Sequence, residues 1–247
     1  MICALMMGRK GSGGFPKKNI KKILGRRIFE YPLLACKKSK NVDKIFVTTD
    51  CPIIKQVSKK YGAIQINRPK SLATNEALGE NVYVHGFNQI KKILNLNSND
   101  IEFIILLMAN APTINYKLID KGIKILRKNK KIDSAVSTSV YNMWSPLRAR
   151  KSDKKGFLKP FVPFKVFGNP KTLNCDRDSQ GDVFYADMSV SVVRPKCLDN
   201  LEKGLLPQKW MGKKIAPIRS WGGCDIDYEW QMPMAEFWLK KHGYKKV

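Results

Sequence analysis

Ile2-Cys3-Ala4-Leu5-Met6-Met7-Gly8-Arg9-Lys10-Gly11-Ser12-Gly13-Gly14-Phe15-Pro16-Lys17-Lys18-Asn19 opens the chain, and its reading decides the fold. Residues 2–7 form an unbroken apolar run. A strand buried on both faces of a parallel sheet reads this way, whereas a half-exposed strand alternates. The run stops at Gly8 and passes into glycines and cations. Glycine permits left-handed backbone and close approach, so successive N–H groups can converge on an anion. Arg9, Lys10, Lys17 and Lys18 bring charge suited to a triphosphate. The loop is neither G-x-x-x-x-G-K-[ST] nor a dinucleotide fingerprint with its following helix.

Working outward, the same strand design returns at residues 44–49 (Lys-Ile-Phe-Val-Thr-Thr), 103–107 and 134–138. Helical stretches are expected between them. Residues 31–39 follow the Gly25 turn, and residues 52–61 start with a proline in the first turn and end at Gly62. Residues 77–94 and 117–127 carry apolar side chains at mostly helical spacing. Strand–helix alternation predicts a doubly wound, mostly parallel α/β sheet. Ligands of such sheets bind beyond the carboxyl ends of the strands. Residues 8–19, Thr49-Asp50 and residues 108–112 should therefore surround one crevice.

The pattern changes after Val140. Residues 141–181 are rich in Pro, Phe, Lys and Asn, without helical period. They predict an insertion of short strands and loops, a subdomain within 141–215 of a single domain spanning 1–247. Residues 184–193 read as a returning strand. Residues 229–241 read as a closing helix whose Trp230, Met234, Phe237 and Trp238 are expected to pack into the core.

The 247 residues are 43% hydrophobic and 27% charged, with negative mean hydropathy, as expected of a soluble α/β domain. No apolar run approaches the roughly 18 residues of a membrane span. The short apolar start lacks a preceding basic region and reads as a strand, so no signal peptide and a cytoplasmic location are expected. Cys3, Cys36, Cys51, Cys175, Cys197 and Cys224 form no C-x-x-C pair, and His85 and His242 add no ligand spacing; reduced thiols are expected rather than zinc or disulfides. The net charge of +26 would attract polyanions. Its lysines and arginines are spread along the chain, and abundant Lys, Asn and Ile together reflect an AT-rich genome as much as function.

Asp225 and Asp227 lie in Trp221-Gly222-Gly223-Cys224-Asp225-Ile226-Asp227. In extended backbone, alternate side chains share a face, so both carboxylates can reach one hard cation while Ile226 turns to the core.

Taken together, these segments resemble the acylneuraminate cytidylyltransferase (CMP-sialic acid synthetase) family. Arg9, Gly11, Ser12, Gly14, Pro16, Lys18 and Asn19 match its A-R-x-G-S-K-G-x-P-x-K-N loop. The run ending Thr48-Thr49-Asp50 resembles its S-T-D strand, Lys60-Tyr61-Gly62-Ala63 its K-Y-G-A, Arg68-Pro69-Lys70-Ser71-Leu72-Ala73 its R-P-x-x-L-A, and Asp225-Ile226-Asp227 its D-I-D. The resemblance implies a nucleotide-diphospho-sugar transferase-like fold and transfer of CMP from CTP to a nonulosonic sugar acid, with release of pyrophosphate. It implies nucleotide binding by Gly8, Arg9, Gly11, Ser12, Lys18, Asn19, Arg68 and Ala73, with Arg9, Lys18 and Asp227 catalytic, and Mg²⁺ held by Asp225 and Asp227.

It also implies a homodimer built through the insertion. Ser145-Pro146-Leu147-Arg148 resembles the family's H-P-L-K, so Arg148, and Arg177 near a second basic position, are candidates for substrate contact. Asp187 begins the segment matching N-G-A-x-Y beside the sugar. The chain departs from the pattern where the loop lysine is Gly13, and where a glutamine and an arginine are Met108 and Ile114. Two other readings compete: a nucleotidyltransferase of the same fold using GTP or another NTP with a different sugar acceptor, and a basic nucleic-acid-binding protein. The latter lacks an RNP, zinc-finger or helix–turn–helix pattern and leaves the paired aspartates without a role. Neither nucleic acid nor membrane is expected as a partner.

Overall fold

A computed structural model describes residues 1–11, 14–176 and 180–247. The chain divides into a larger unit, Met1–Thr138 with Asp187–Val247, and a smaller one, Ser139–Ala186. Residues 187–215, within the range expected for the insertion, belong to the larger unit. Strand Phe184–Val193 carries the chain back into the main sheet there.

The larger unit is built on β1 (Ile2–Gly8), α1 (Glu30–Lys38), β2 (Lys44–Thr49), α2 (Pro52–Ser58), β3 (Ile64–Asn67), α3 (Gly79–Leu94), β4 (Phe103–Met108) and α4 (Tyr116–Lys128). After these come β5 (Ser134–Val140), β6 (Phe184–Val193), β7 (Ile215–Ser220) and α5 (Met232–Lys241). The seven strands form one sheet in the order β7-β5-β6-β4-β1-β2-β3. β1 runs parallel to β2 and β4, β2 runs parallel to β3, and β6 returns antiparallel to β4. The expected fold class, a doubly wound and mostly parallel α/β sheet, is therefore observed.

The unbroken apolar runs are explained by their two faces. Ile2, Ala4 and Met6 of β1, with Phe103, Ile105 and Leu107 of β4, join a core with Phe29, Tyr31, Ile119 and Trp238. The intervening Cys3, Leu5, Ile104 and Leu106 join Phe46, Tyr83, Phe87 and Trp210 on the other face. Close helix packing needs a glycine on α3: a Cβ on Gly86 would lie 2.6 Å from Leu5 Cδ2. α4 begins where Asn115 Oδ1 accepts a hydrogen bond from Leu118 N at 3.2 Å, an N-cap.

From β1 the chain moves outward through β2 and β3, then returns to place β4 on the other side of β1. The strand order reverses between β1 and β4, and the crevice beyond their carboxyl ends is where this fold class binds ligands.

One expectation is corrected. In the closing segment, residues 229–231 form a 3₁₀ turn before α5, and α5 buries Ala235, Trp238 and Leu239. Trp230, Met234 and Phe237 are exposed, so of the expected aromatic stripe only Trp238 is core.

The smaller unit holds a two-stranded hairpin, Arg150–Ser152 with Leu158–Pro160, and several 3₁₀ turns. This agrees with the absence of helical period in residues 141–181.

Candidate active site

Gly8 ends β1 against the first residue after β4. A Cβ there would meet Ala109 Cβ at 2.6 Å and Ile54 Cδ1 at 3.1 Å, so only glycine lets the two strand ends close together. The basic loop beyond is closed on itself and tied to its neighbours. Asn19, 8% exposed, donates from Nδ2 to Arg9 O at 3.0 Å. Lys10 N donates to Asp50 Oδ1 at 2.8 Å, which links the loop to the end of β2. Lys17 turns left-handed at φ 57° and starts the 3₁₀ turn Lys18–Ile20. Ser12 and Gly13 lie outside the described residues.

A cleft opens here, lined by Gly8, Arg9, Gly11, Lys18, Asn19 and Arg68, together with Met7, Asn75, Ala77, Gly79, Met108 and Asn110. Arg9 Nη1 donates to Thr74 O at 2.9 Å and Asn75 Oδ1 at 2.5 Å, which brings residues 74–75 to the basic loop. Arg68 Nε donates to Leu72 O at 2.7 Å. Burial pushes the Arg68 guanidinium below its ordinary pKa and Arg9 adds repulsion, against the attraction of Asp50. A half-buried, incompletely compensated cation favours an anionic ligand. Ala73 is half-buried on the turn before Thr74 and outside the lining of the cleft.

The second half of the site comes from the other end of the chain. Ile226 is fully buried, and its neighbours Asp225 and Asp227 turn the other way. The loop after β4 holds this extended segment by its backbone: Ile226 N donates to Asn110 O at 2.8 Å. Asn110 Nδ2 donates to Ile226 O at 3.1 Å and approaches Asp225 Oδ2 at 3.3 Å and Asp227 Oδ1 at 3.4 Å. Thr113 Oγ1 donates to Cys224 O at 2.9 Å and accepts from Cys224 N at 2.9 Å. Asp227 N and Tyr228 N both donate to Gln231 Oε1, at 2.7 and 2.8 Å.

Lys18 then joins the two halves, because its Nζ forms an ion pair with Asp227. Burial, followed by the charge of Asp227, raises the Asp225 carboxyl above the ordinary aspartate range, with smaller opposing effects from Lys18 and Asn110. A cation between the carboxylates would relieve the repulsion. Two carboxylates linked to the basic loop through Lys18 are donors of the kind a hard cation takes together with phosphate oxygens and water, although neither lines the cleft itself. Cys224 is no nucleophile here: burial, Asp225 and Asp187 push its thiol up to about 12.

The structure thus brings Gly8, Arg9, Gly11, Lys18, Asn19 and Arg68 together, with Asp225 and Asp227 joined through Lys18 and Asn110. Asp187 is placed differently. It is 5% exposed, outside the lining of the cleft, and its carboxylate accepts from Ser137 Oγ and from Ser189 N. A Cβ on Gly223 would lie 2.3 Å from Asp187 Oδ2, so this aspartate packs beneath the backbone that leads to Asp225. Arg148 belongs to the smaller unit, where its Nη2 donates to Cys175 O. Arg177 lies outside the described residues. Met108 lines the cleft, whereas Ile114 is fully buried, so the two departures from the family pattern have different surroundings. Sequence reasoning did not find Asn110, Thr113 or Asn75. The only signal was that residues 108–112 face the crevice.

Sheet order and the cleft at the switch point define an α/β protein of the doubly wound class, with a basic loop at the cleft. Residues 3–154, more than half of the chain, match the family model described as Cytidylyltransferase, and the chain belongs to that family. It is 25% identical over 247 residues to N-acylneuraminate cytidylyltransferase of Oncorhynchus mykiss, covering 98% of this chain and 51% of the relative. It is 28% identical over 141 residues to N-acylneuraminate cytidylyltransferase of Escherichia coli, covering 57% of this chain and 32% of the relative. The chain thus spans about half the length of the first relative and about a third of the second. The solved structure of CMP:2-keto-3-deoxy-manno-octonic acid synthetase complexed with CTP shares the fold, with a TM-score of 0.65, 12% identity, and 98% of this chain and 99% of that chain covered.

Proposed function

We propose that this chain transfers CMP from CTP to a nonulosonic sugar acid and releases pyrophosphate. One observation carries the reading: at the switch point, the basic loop after β1 meets the Asp225–Asp227 pair through the Lys18–Asp227 ion pair. A triphosphate lying on the loop has its α-phosphate facing carboxylates suited to a metal, which is the arrangement nucleotidyl transfer needs. Both relatives are N-acylneuraminate cytidylyltransferases, which supports CTP as donor and an acidic sugar as acceptor.

In this mechanism the acceptor hydroxyl forms its bond to the α-phosphorus. The bond from that phosphorus to the oxygen bridging the β-phosphate breaks, the hydroxyl proton passes to solvent, and pyrophosphate leaves. Lys18, Arg68 and the loop N–H groups stabilise charge moving onto the leaving group. Arg9 holds residues 74–75 against the loop and so shapes the nucleotide side of the cleft. Asp225 and Asp227 would hold Mg²⁺, which would supply Lewis-acid chemistry to the transfer. Neither His85 nor His242 lines the cleft. A homodimer completes the proposal: the smaller unit exposes Trp144, Phe157, Leu158, Phe161 and Val166, an apolar surface suited to a second copy.

Met108 favours a second reading of the acceptor. A thioether replaces a side chain able to hydrogen-bond, so the sugar acid is one other than N-acetylneuraminate, or the donor is another NTP.

Pyrophosphate release with Mg²⁺ tests both readings, offering CTP, GTP, ATP and UTP against a panel of nonulosonic acids. Release with CTP and one acid is expected. Release only with another nucleotide would favour the second reading, and silence throughout from folded protein would refute both.

A further inference from the structure

Asn110 is the residue through which the two ends of the site meet. Its backbone carbonyl accepts from Ile226 N at 2.8 Å, and its side-chain amide donates to Ile226 O at 3.1 Å. That fixes the residue between the two aspartates on both sides of its peptide. The same amide nitrogen reaches Asp225 Oδ2 at 3.3 Å and Asp227 Oδ1 at 3.4 Å. One nitrogen in contact with both carboxylates fixes how far apart they can stand. Their mutual repulsion opposes a close approach, and Asp227 is half-exposed, held on its other side by Lys18. Lys18 compensates Asp227, but Asn110 is the group that touches both.

We propose that Asn110 is a positioning residue, setting the spacing of Asp225 and Asp227 so that the pair can share one divalent cation. The proposal rests on the cytidylyltransferase reading above and adds to it a residue that touches the carboxylates rather than the reacting atoms. Outer partners that orient ligating carboxylates typically affect metal affinity by about 10–100-fold.

The test is Mn²⁺ titration of the CTP-loaded protein without acceptor, read as the paramagnetic signal of free Mn²⁺ against the same titration of CTP alone. Asn110→Ala should weaken Mn²⁺ binding by about tenfold or more, with CTP binding in EDTA unchanged. Asn110→Ser, too short to reach either carboxylate, should shift in the same direction and serves if the alanine variant does not fold. Thr113→Ala is the control: Thr113 clamps Cys224 on the same segment but contacts neither carboxylate. It should lower the melting temperature while Mn²⁺ affinity stays near wild type. Wild-type binding with unchanged affinity in the folded Asn110 variants would overturn this role and leave the enzymatic reading standing. An equal loss in Thr113→Ala would reduce Asn110 to a structural clamp. Absence in the wild type of Mn²⁺ binding beyond that of CTP alone would overturn both readings.

Discussion

Gly8 shows how little room one residue has at this site. An alanine methyl there would lie 2.6 Å from Ala109 Cβ, so Gly8→Ala must separate the ends of β1 and β4. Overpacking of this kind costs about 1–3 kcal/mol, and urea unfolding should show it together with weakened CTP binding. Unchanged stability and affinity would mean that the strand ends yield. Asp225 and Asp227 give a sharper contrast. Asp225→Asn and Asp227→Asn should each abolish pyrophosphate release while the protein stays folded; full activity in either would remove the metal role.

For Asp225 the sign of the stability change also follows. Burial raises its folded pKa, so its contribution to stability is present at low pH and lost as pH rises through that raised value. Asp225→Asn should therefore melt higher than wild type at neutral pH, an advantage that vanishes in acid. These aspartates, like Arg9 and Lys18, were legible because their pattern is local. Asn110 was not, because its partners lie 115 and more residues away and Met-Ala-Asn-Ala-Pro carries no chemical signature.

Among the elements, α5 separates what periodicity can tell from what it cannot. The expected stripe of 230, 234, 237 and 238 follows aromatic content, whereas residues 235, 238 and 239 mark an adjacent face of the same helix. The structure buries the second set, so Trp238 alone is common to both, and Trp230 lies in the 3₁₀ turn before the helix. Trp238 is 1% exposed and donates from Nε1 to Trp221 O at 2.8 Å; Phe237 is 55% exposed. Trp238→Ala should cost about 3–5 kcal/mol in chemical unfolding, and Phe237→Ala about 0.5 or less. Similar losses would contradict the placement of the helix.

The apolar strands β1, β2 and β4 were legible for the opposite reason, since burial on two faces leaves no alternating pattern. β3 and β7 were not. β3 has polar Gln65 and Asn67 in four residues, and β7 has Pro217 and Arg219 in six. Both lie at sheet edges, where such residues are tolerated and the apolar signal fades.

For the molecule as a whole, the +26 charge and the smaller unit bear on association. Phe157, Leu158 and Phe161 are exposed on one short hairpin region, and dimerisation would cover them. Light scattering during size exclusion should give a dimer, and Phe157→Ser with Phe161→Ser should shift it to monomer; a wild-type monomer would refute that part of the proposal. The Lys18–Asp227 ion pair spans 209 residues of chain and has a further consequence. Synthesis proceeds from the N-terminus, and early segments fold first. The basic loop proposed to receive phosphate therefore emerges from the ribosome long before the carboxylates paired with it. A nascent chain acquires the acidic half of the proposed site only after residue 225 is made, so translation stalled before it yields a basic cradle without the carboxylates that the proposed transfer requires.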